Sequence, residues 1–123
     1  MTHLPTDAKK RKDAPIARGV LDYFPKAMVA IAELSRIGNE QHNPGQPMHW
    51  AKEKSTDHAD CILRHMIDRG TMDTDGVRHS TKVAWRALAL LEMELDAAAK
   101  PTLTGAGGNG GVNGPAGIVS QSK

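Results

Sequence analysis

Residues 55–70, STDHADCILRHMIDRG, read as one amphipathic helix, and the rest of the chain can be placed on either side of it. Asp57, Asp60 and Arg64 stand at i, i+3 and i+7 and so share one face. Ala59, Ile62, Leu63 and Met66 stand at core spacing on another. Ser55 or Thr56 is placed to cap the start, and Gly70 to end the helix. Two carboxylates one turn apart, followed by a cation, suit a divalent ion that itself holds phosphates. The same residues also describe a solvated acidic face near a helix N-terminus, where the dipole favours Asp.

Upstream, HNPGQPMHWAKEK is a connection of about a dozen residues, a length typical of binding loops. Within it, Trp50 with Lys52 and Lys54 suits stacking on a base beside phosphate, or equally a tryptophan that pins the loop to the core. Before the loop, Pro25 opens a helix over residues 26–41. Its apolar positions are Ala27, Met28, Ile31, Leu34 and Ile37, and Glu33, Arg36 and Glu40 share a polar face. Residues 14–24, APIARGVLDYF, form a short helix or an irregular lead-in interrupted by Gly19.

Downstream, TMDTDGV offers Asp73 or Asp75 as the cap of a third helix over residues 77–99. It lacks the remaining ligands of a calcium loop. Val77, Ala84, Leu88, Leu91 and Leu95 make the apolar stripe of that helix, and His79, Lys82 and Arg86 share a basic face. That face could meet phosphates across the acidic pair or lie in solvent.

The fold class is all-α: a small antiparallel helical bundle over residues 14–100, flanked by a disordered basic tail (1–13) and a flexible Gly-rich tail (101–123). With four aromatic residues the core is small, and oligomerisation is expected to complete it. The net charge of +2 points to no particular partner, and the run Lys9–Lys12 is weak support for nucleic acid. The single cysteine, Cys61, fits a structural role in a reducing cytoplasm. No stretch resembles a membrane span or a signal peptide.

If the helices pack antiparallel, Glu33 and Glu40 on one and Asp57 and Asp60 on the next can converge. Four unneutralised carboxylates would repel one another, so a cation is expected among them. All-oxygen ligation favours Mg2+, or Mn2+, over zinc. Such an ion would hold phosphate and position a water for attack on phosphorus.

A Glu-bearing helix, 17 positions from Glu40 to Asp57, then Asp-x-x-Asp, resembles the MazG-type all-α nucleoside triphosphate pyrophosphohydrolases. Their signature opens with Glu-Glu, where this chain has Arg36 and Ile37, with Glu33 one turn earlier. A second likeness spans residues 14–95. It rests on VLDYFP from Val20, Gly38-Asn39-Glu40, His49-Trp50, Arg64-His65, Asp75-Gly76, His79 and AWRALALLE from Ala84. In order and spacing these are similar to the phage dATP/dGTP diphosphohydrolase family, which includes the MazZ enzymes.

That resemblance implies hydrolysis of a purine deoxynucleoside triphosphate to monophosphate and pyrophosphate in the host cytoplasm. In phages with 2-aminoadenine DNA this supplies dGMP. It implies Glu40, Asp57 and Asp60 as catalytic carboxylates and, with Glu33, as metal ligands. Asn39, Trp50, Lys54, Arg64, Lys82 and Arg86 are the substrate-binding candidates, and the assembly is a dimer or tetramer. A histidine-aspartate phosphohydrolase needs a His-Asp pair, whereas Asp57-His58 has the reverse order. A DNA-binding protein of helix-turn-helix type needs shorter turns than these. A helical adaptor would leave the acidic faces solvated.

Overall fold

The computed structural model describes residues 3–99; residues 1, 2 and 100–123, including the expected Gly-rich tail, lie outside the described residues. The described chain is all-α. It comprises α1 (Ala8–Lys12), a π turn at Ala17–Leu21, α2 (Pro25–His42), a 3-10 turn at Lys52–Lys54, α3 (His58–Ile67) and α4 (His79–Ala99). The chain divides into two units, Met1–Leu90 and Leu91–Lys123. All the candidate residues lie in the first; of the second, residues 91–99 are the last turns of α4.

Each boundary has a local cause. α1 is a single short turn in the segment expected as a tail. Its carboxylate cap, Asp7 accepting from the Lys10 N–H at 3.0 Å, supplies what the missing apolar periodicity could not predict. The lead-in resolves as a π turn, closed by the Asp22 N–H on the Ala17 carbonyl at 2.8 Å. α2 starts at Pro25 and runs to His42, where Asn43-Pro44 and Gly45, with φ +76°, turn the chain. Met28, Ile31, Leu34 and Ile37 are half-buried and Glu33, Arg36 and Glu40 exposed, as their spacing predicts, whereas Ala27 in the first turn is exposed.

Two expectations are corrected. α3 begins at His58, so Asp57, rather than Ser55 or Thr56, holds the N-cap position. It makes no cap hydrogen bond, because arginines engage its carboxylate. The face of α3 turned inward is not Ala59–Leu63–Met66: Leu63 is 63% exposed, whereas His58 and Cys61 are buried and Ile62 and His65 half-buried. α4 is rotated in the same sense. Leu88 is left exposed, Ala89 is buried, and Lys82 and Arg86 of the basic face lie half-buried against other elements.

The reason is the α3–α4 pairing. His65 near the end of α3 meets His79 at the start of α4, and His58 at the start of α3 meets Arg86 further along α4. The two helices are therefore antiparallel, joined by polar side chains. On another side of α4, the Trp85 indole N–H donates to the Ser35 hydroxyl of α2 at 2.9 Å. The Trp50 ring meets Trp85 edge-on at 5.5 Å, which fastens the long loop to the same point.

Candidate functional site

Two polar clusters lie along the α3–α4 seam. At one end, Asp57 accepts from the Arg64 guanidinium at 3.3 Å and lies 3.5 Å from that of Arg86. These are the i and i+7 positions of α3, so the shared face read from the spacing is formed, with a second arginine brought in by α4. The Arg64 hydrogen bond, with added charge from Arg86, holds the Asp57 carboxyl below its ordinary value of 3.8.

Behind this pair sits His58, 5% exposed. Its Nδ1 lies 3.2 Å from Arg86 Nη1. A guanidinium can only donate, so Nδ1 accepts and the ring proton resides on Nε2. That buried Nε2 has no hydrogen-bond partner among the described residues. Burial first, and then the charge of Arg86, push the His58 pKa below 6.5, so the ring is neutral. A neutral imidazole thus holds one of the two cations at the site while leaving its positive charge uncancelled. Sequence reasoning missed His58. The signal was the His58, Cys61, His65 spacing, which matches the buried face of α3.

At the other end, His65 Nδ1 and His79 Nδ1 are 2.9 Å apart. The turn between the helices delivers two carboxylates beside them. Its bend is built by Gly76 at φ +82°, the Met72–Arg78 bridge, and the Asp73 N–H on the Val77 carbonyl at 2.8 Å. Asp73 and Asp75, expected to cap α4, sit several residues before its start at His79. Asp73 Oδ1 accepts the Thr74 N–H and Asp75 Oδ1 the Val77 N–H. Their Oδ2 atoms clasp Lys82 Nζ at 2.7 and 2.8 Å. The Lys82 bond, joined by that of Thr74, lowers Asp73 from 3.8 to about 2. Burial alone would lower Lys82, but the two carboxylates outweigh it and hold the amine above 10.5.

These shifts set a pH dependence. His65 is lowered below 6.5, by burial first and then by the charge of Lys82. Together with His58 it gives stability that is complete above pH 6.5 and is lost as pH falls through the lower folded values. Asp73 contributes stability that is complete above 3.8 and is lost as pH falls through about 2. Urea midpoints measured against pH are expected to decline in these two stages, and Asp73→Asn to flatten the lower one.

The remaining candidates are distributed differently. Glu40 pairs with Arg36 of its own helix at 3.1 Å, an exposed i,i+4 contact worth about 0.3–0.5 kcal/mol. Glu33 lines a cleft of about 230 Å³ with Ile37, Met72 and Arg78. The Asp60 carboxylate is exposed and makes no hydrogen bond or ion pair among the described residues. Among those residues Glu33, Glu40, Asp57 and Asp60 do not form a set of ligand atoms within 4.8 Å of one another; His65, Asp73 and His79 do. The carboxylates divide because Glu33 faces the interhelical turn while Asp57 is drawn to Arg86 on α4.

Asn39, expected as a base contact, spends its carboxamide on the loop. It donates to the Gln46 carbonyl and accepts from the His49 N–H, both at 3.0 Å. Trp50 does what the second of its two readings required, pinning the loop, while Lys52 Nζ lies 5.2 Å from its ring centre. Lys54 is exposed in the 3-10 turn, and Lys82 is the cation clasped by the turn. No helix among the described residues is long and apolar enough to cross a membrane.

No curated protein and no solved structure matches the chain. A family model described as dATP/dGTP diphosphohydrolase, N-terminal, matches residues 5–101.

Proposed function

The chain belongs to the dATP/dGTP diphosphohydrolase N-terminal family, and from that membership we propose that it hydrolyses dGTP or dATP to the monophosphate and pyrophosphate. The observation that carries the reading is the pairing of Arg64 and Arg86 on Asp57, backed by the neutral, buried His58. Two guanidiniums on a half-open surface offer forked donors to phosphate oxygens, and Asp57 keeps them in place until a more highly charged anion competes. Lys54 stands exposed as a further cation for the triphosphate.

Mg2+, with Mn2+ as substitute, is the metal this reading requires. The donor set suits it: Glu33, Glu40, Asp57 and Asp60 are all exposed carboxylates. Magnesium usually takes one or two carboxylates and completes its shell with substrate phosphates and water, so a closed protein cage is unnecessary. When bound, the ion supplies neutralisation of triphosphate charge and a more acidic water. Asp60 and Glu40 would hold it, with Asp57 once its arginines turn to phosphate, while Glu33, which faces the interhelical turn, stands apart from that ion. A carboxylate left outside the ion's shell takes the proton of the attacking water.

The reading extends to assembly and setting. A second copy of the chain is the partner proposed to cover the exposed apolar side chains. Val29 is 60%, Leu63 63% and Ile67 78% exposed, while Cys61 and Ala89 are the apolar residues buried among those described. The proposed setting is a phage-infected cytoplasm, where the product dGMP would feed synthesis of 2-aminoadenine DNA.

The test is to incubate the purified chain with each dNTP and NTP plus Mg2+ and to separate the products. Purine deoxynucleoside monophosphate and pyrophosphate are expected. Nucleoside plus inorganic triphosphate would move the chain to another hydrolase class. An absence of turnover with either metal would leave a binding function in its place.

A further inference from the structure

The cluster at the other end of the seam is left over from that chemistry. We infer that His65, His79 and Asp73 form a site for one borderline divalent transition ion of the zinc or cobalt kind, which clamps the interhelical turn to α3 and α4. Three elements meet there. His65 comes from the last turns of α3, Asp73 from the turn, and His79 from the first residue of α4. Their ligand atoms all lie within 4.8 Å of one another.

The spacing suits a shared ion. In a tetrahedral site two imidazole nitrogens about 2.1 Å from one metal stand roughly 3.4 Å apart; the two Nδ1 atoms are 2.9 Å apart, so the rings would part by about half an ångström to take the ion. Asp73 Oδ2 is 4.0 Å from His79 Nδ1, so a small turn of the Asp73 side chain would bring it to the roughly 3.4 Å of a tetrahedral pair of donors. Two imidazoles and one carboxylate select zinc, cobalt, nickel or iron over magnesium and calcium, which take oxygen.

The surroundings favour the charge. His79 and Asp73 side chains are 13% and 24% exposed, so the site is held in place yet reachable. Asp73 and Asp75 carry two negative charges and Lys82 one positive, leaving net negative charge beside two histidines. Asp73 Oδ2 has a second lone pair beyond the one taken by Lys82, so the lysine remains as an outer partner that orients the carboxylate. One of the facing Nδ1 atoms must now donate to the other. With an ion between them, that proton moves to Nε2 of the same ring, and both Nδ1 lone pairs face the metal with no net proton released.

The test uses the full chain, stripped with a chelator and dialysed into buffer with excess Mg2+, so that any carboxylate site is already filled. Titration with Zn2+ by calorimetry, and with Co2+ by visible absorption, is expected to show one ion per chain and a raised melting temperature. His65→Ala and His79→Ala are each expected to weaken binding at least about 100-fold. Glu40→Gln/Asp60→Asn should bind zinc as the parent does, which separates this site from the proposed magnesium carboxylates. On the unmutated chain, zinc should move the ring 15N resonances of His65 and His79 and not those of His42 or His49. No saturable zinc or cobalt binding, binding undiminished in both histidine variants, or unmoved His65 and His79 resonances would overturn the inference and leave a hydrogen-bonded network closed by Lys82.

Discussion

Asp60→Asn is expected to lower dGTP turnover by about a hundred- to a thousandfold, the usual loss when one preorganised electrostatic group is removed from an active site. The substitution keeps the shape of the side chain and removes its charge. Because the Asp60 carboxylate is exposed and pairs with nothing among the described residues, no ion pair is broken. The stability cost is at most about 1 kcal/mol, the helix-dipole share of a first-turn carboxylate. Steady-state pyrophosphate release beside a urea melt separates the two quantities. Asp57→Asn is the less informative variant, since it also frees Arg64 and Arg86 and leaves two cations to repel. Unchanged turnover in a folded Asp60→Asn protein would remove this residue from the proposed ligand set.

Trp85→Ala is expected to destabilise the chain by about 3 kcal/mol, the lower end for truncating a large aromatic side chain. Trp85 is half-buried, but it is the joint of three elements. It meets Trp50 of the long loop edge-on and donates to Ser35 of α2, and it is carried by α4. Truncation leaves the indole of Trp50 without its ring partner and the Ser35 hydroxyl without its donor. With so few buried apolar residues, no other contact compensates. Trp85→Phe keeps the ring contact and loses only the N–H, so about 1 kcal/mol is expected for it. Urea unfolding followed by far-ultraviolet circular dichroism reads both, and Trp50 fluorescence in Trp85→Phe reports whether the loop stays docked. A Trp85→Ala protein as stable as the parent would mean that α2 and the loop are held elsewhere.

The three longer helices were legible in the chain. α2 runs from its Pro25 to the Asn43-Pro44-Gly45 stop, with the polar and apolar faces its spacing predicts. The resemblance read from short strings over residues 14–95 agrees with the family match over 5–101. The Asp57–Arg64 relation also followed from i, i+7 spacing alone. These features share one cause: they are set by neighbours within a few residues, and periodicity and capping chemistry record such neighbours directly.

The rotation of α3 and α4 about their own axes was decided by the tertiary structure. Hydrophobic spacing placed Leu63, Met66 and Leu88 inward. The fold instead turns His58, Cys61, His65, Lys82 and Arg86 toward the seam and leaves those leucines exposed. An apolar side chain gains by burial against any apolar partner, so spacing alone does not choose which one. Lys82 and Arg86 have partners only where Asp73, Asp75, Asp57 and His58 arrive from other elements. The sequence by itself, through local spacing, determined that the three longer segments are helical and which residues share a face, but not the short α1 in the N-terminal segment. Which face turns inward, and so which carboxylates, histidines and cations meet, depended on contacts across dozens of residues, which local periodicity does not record.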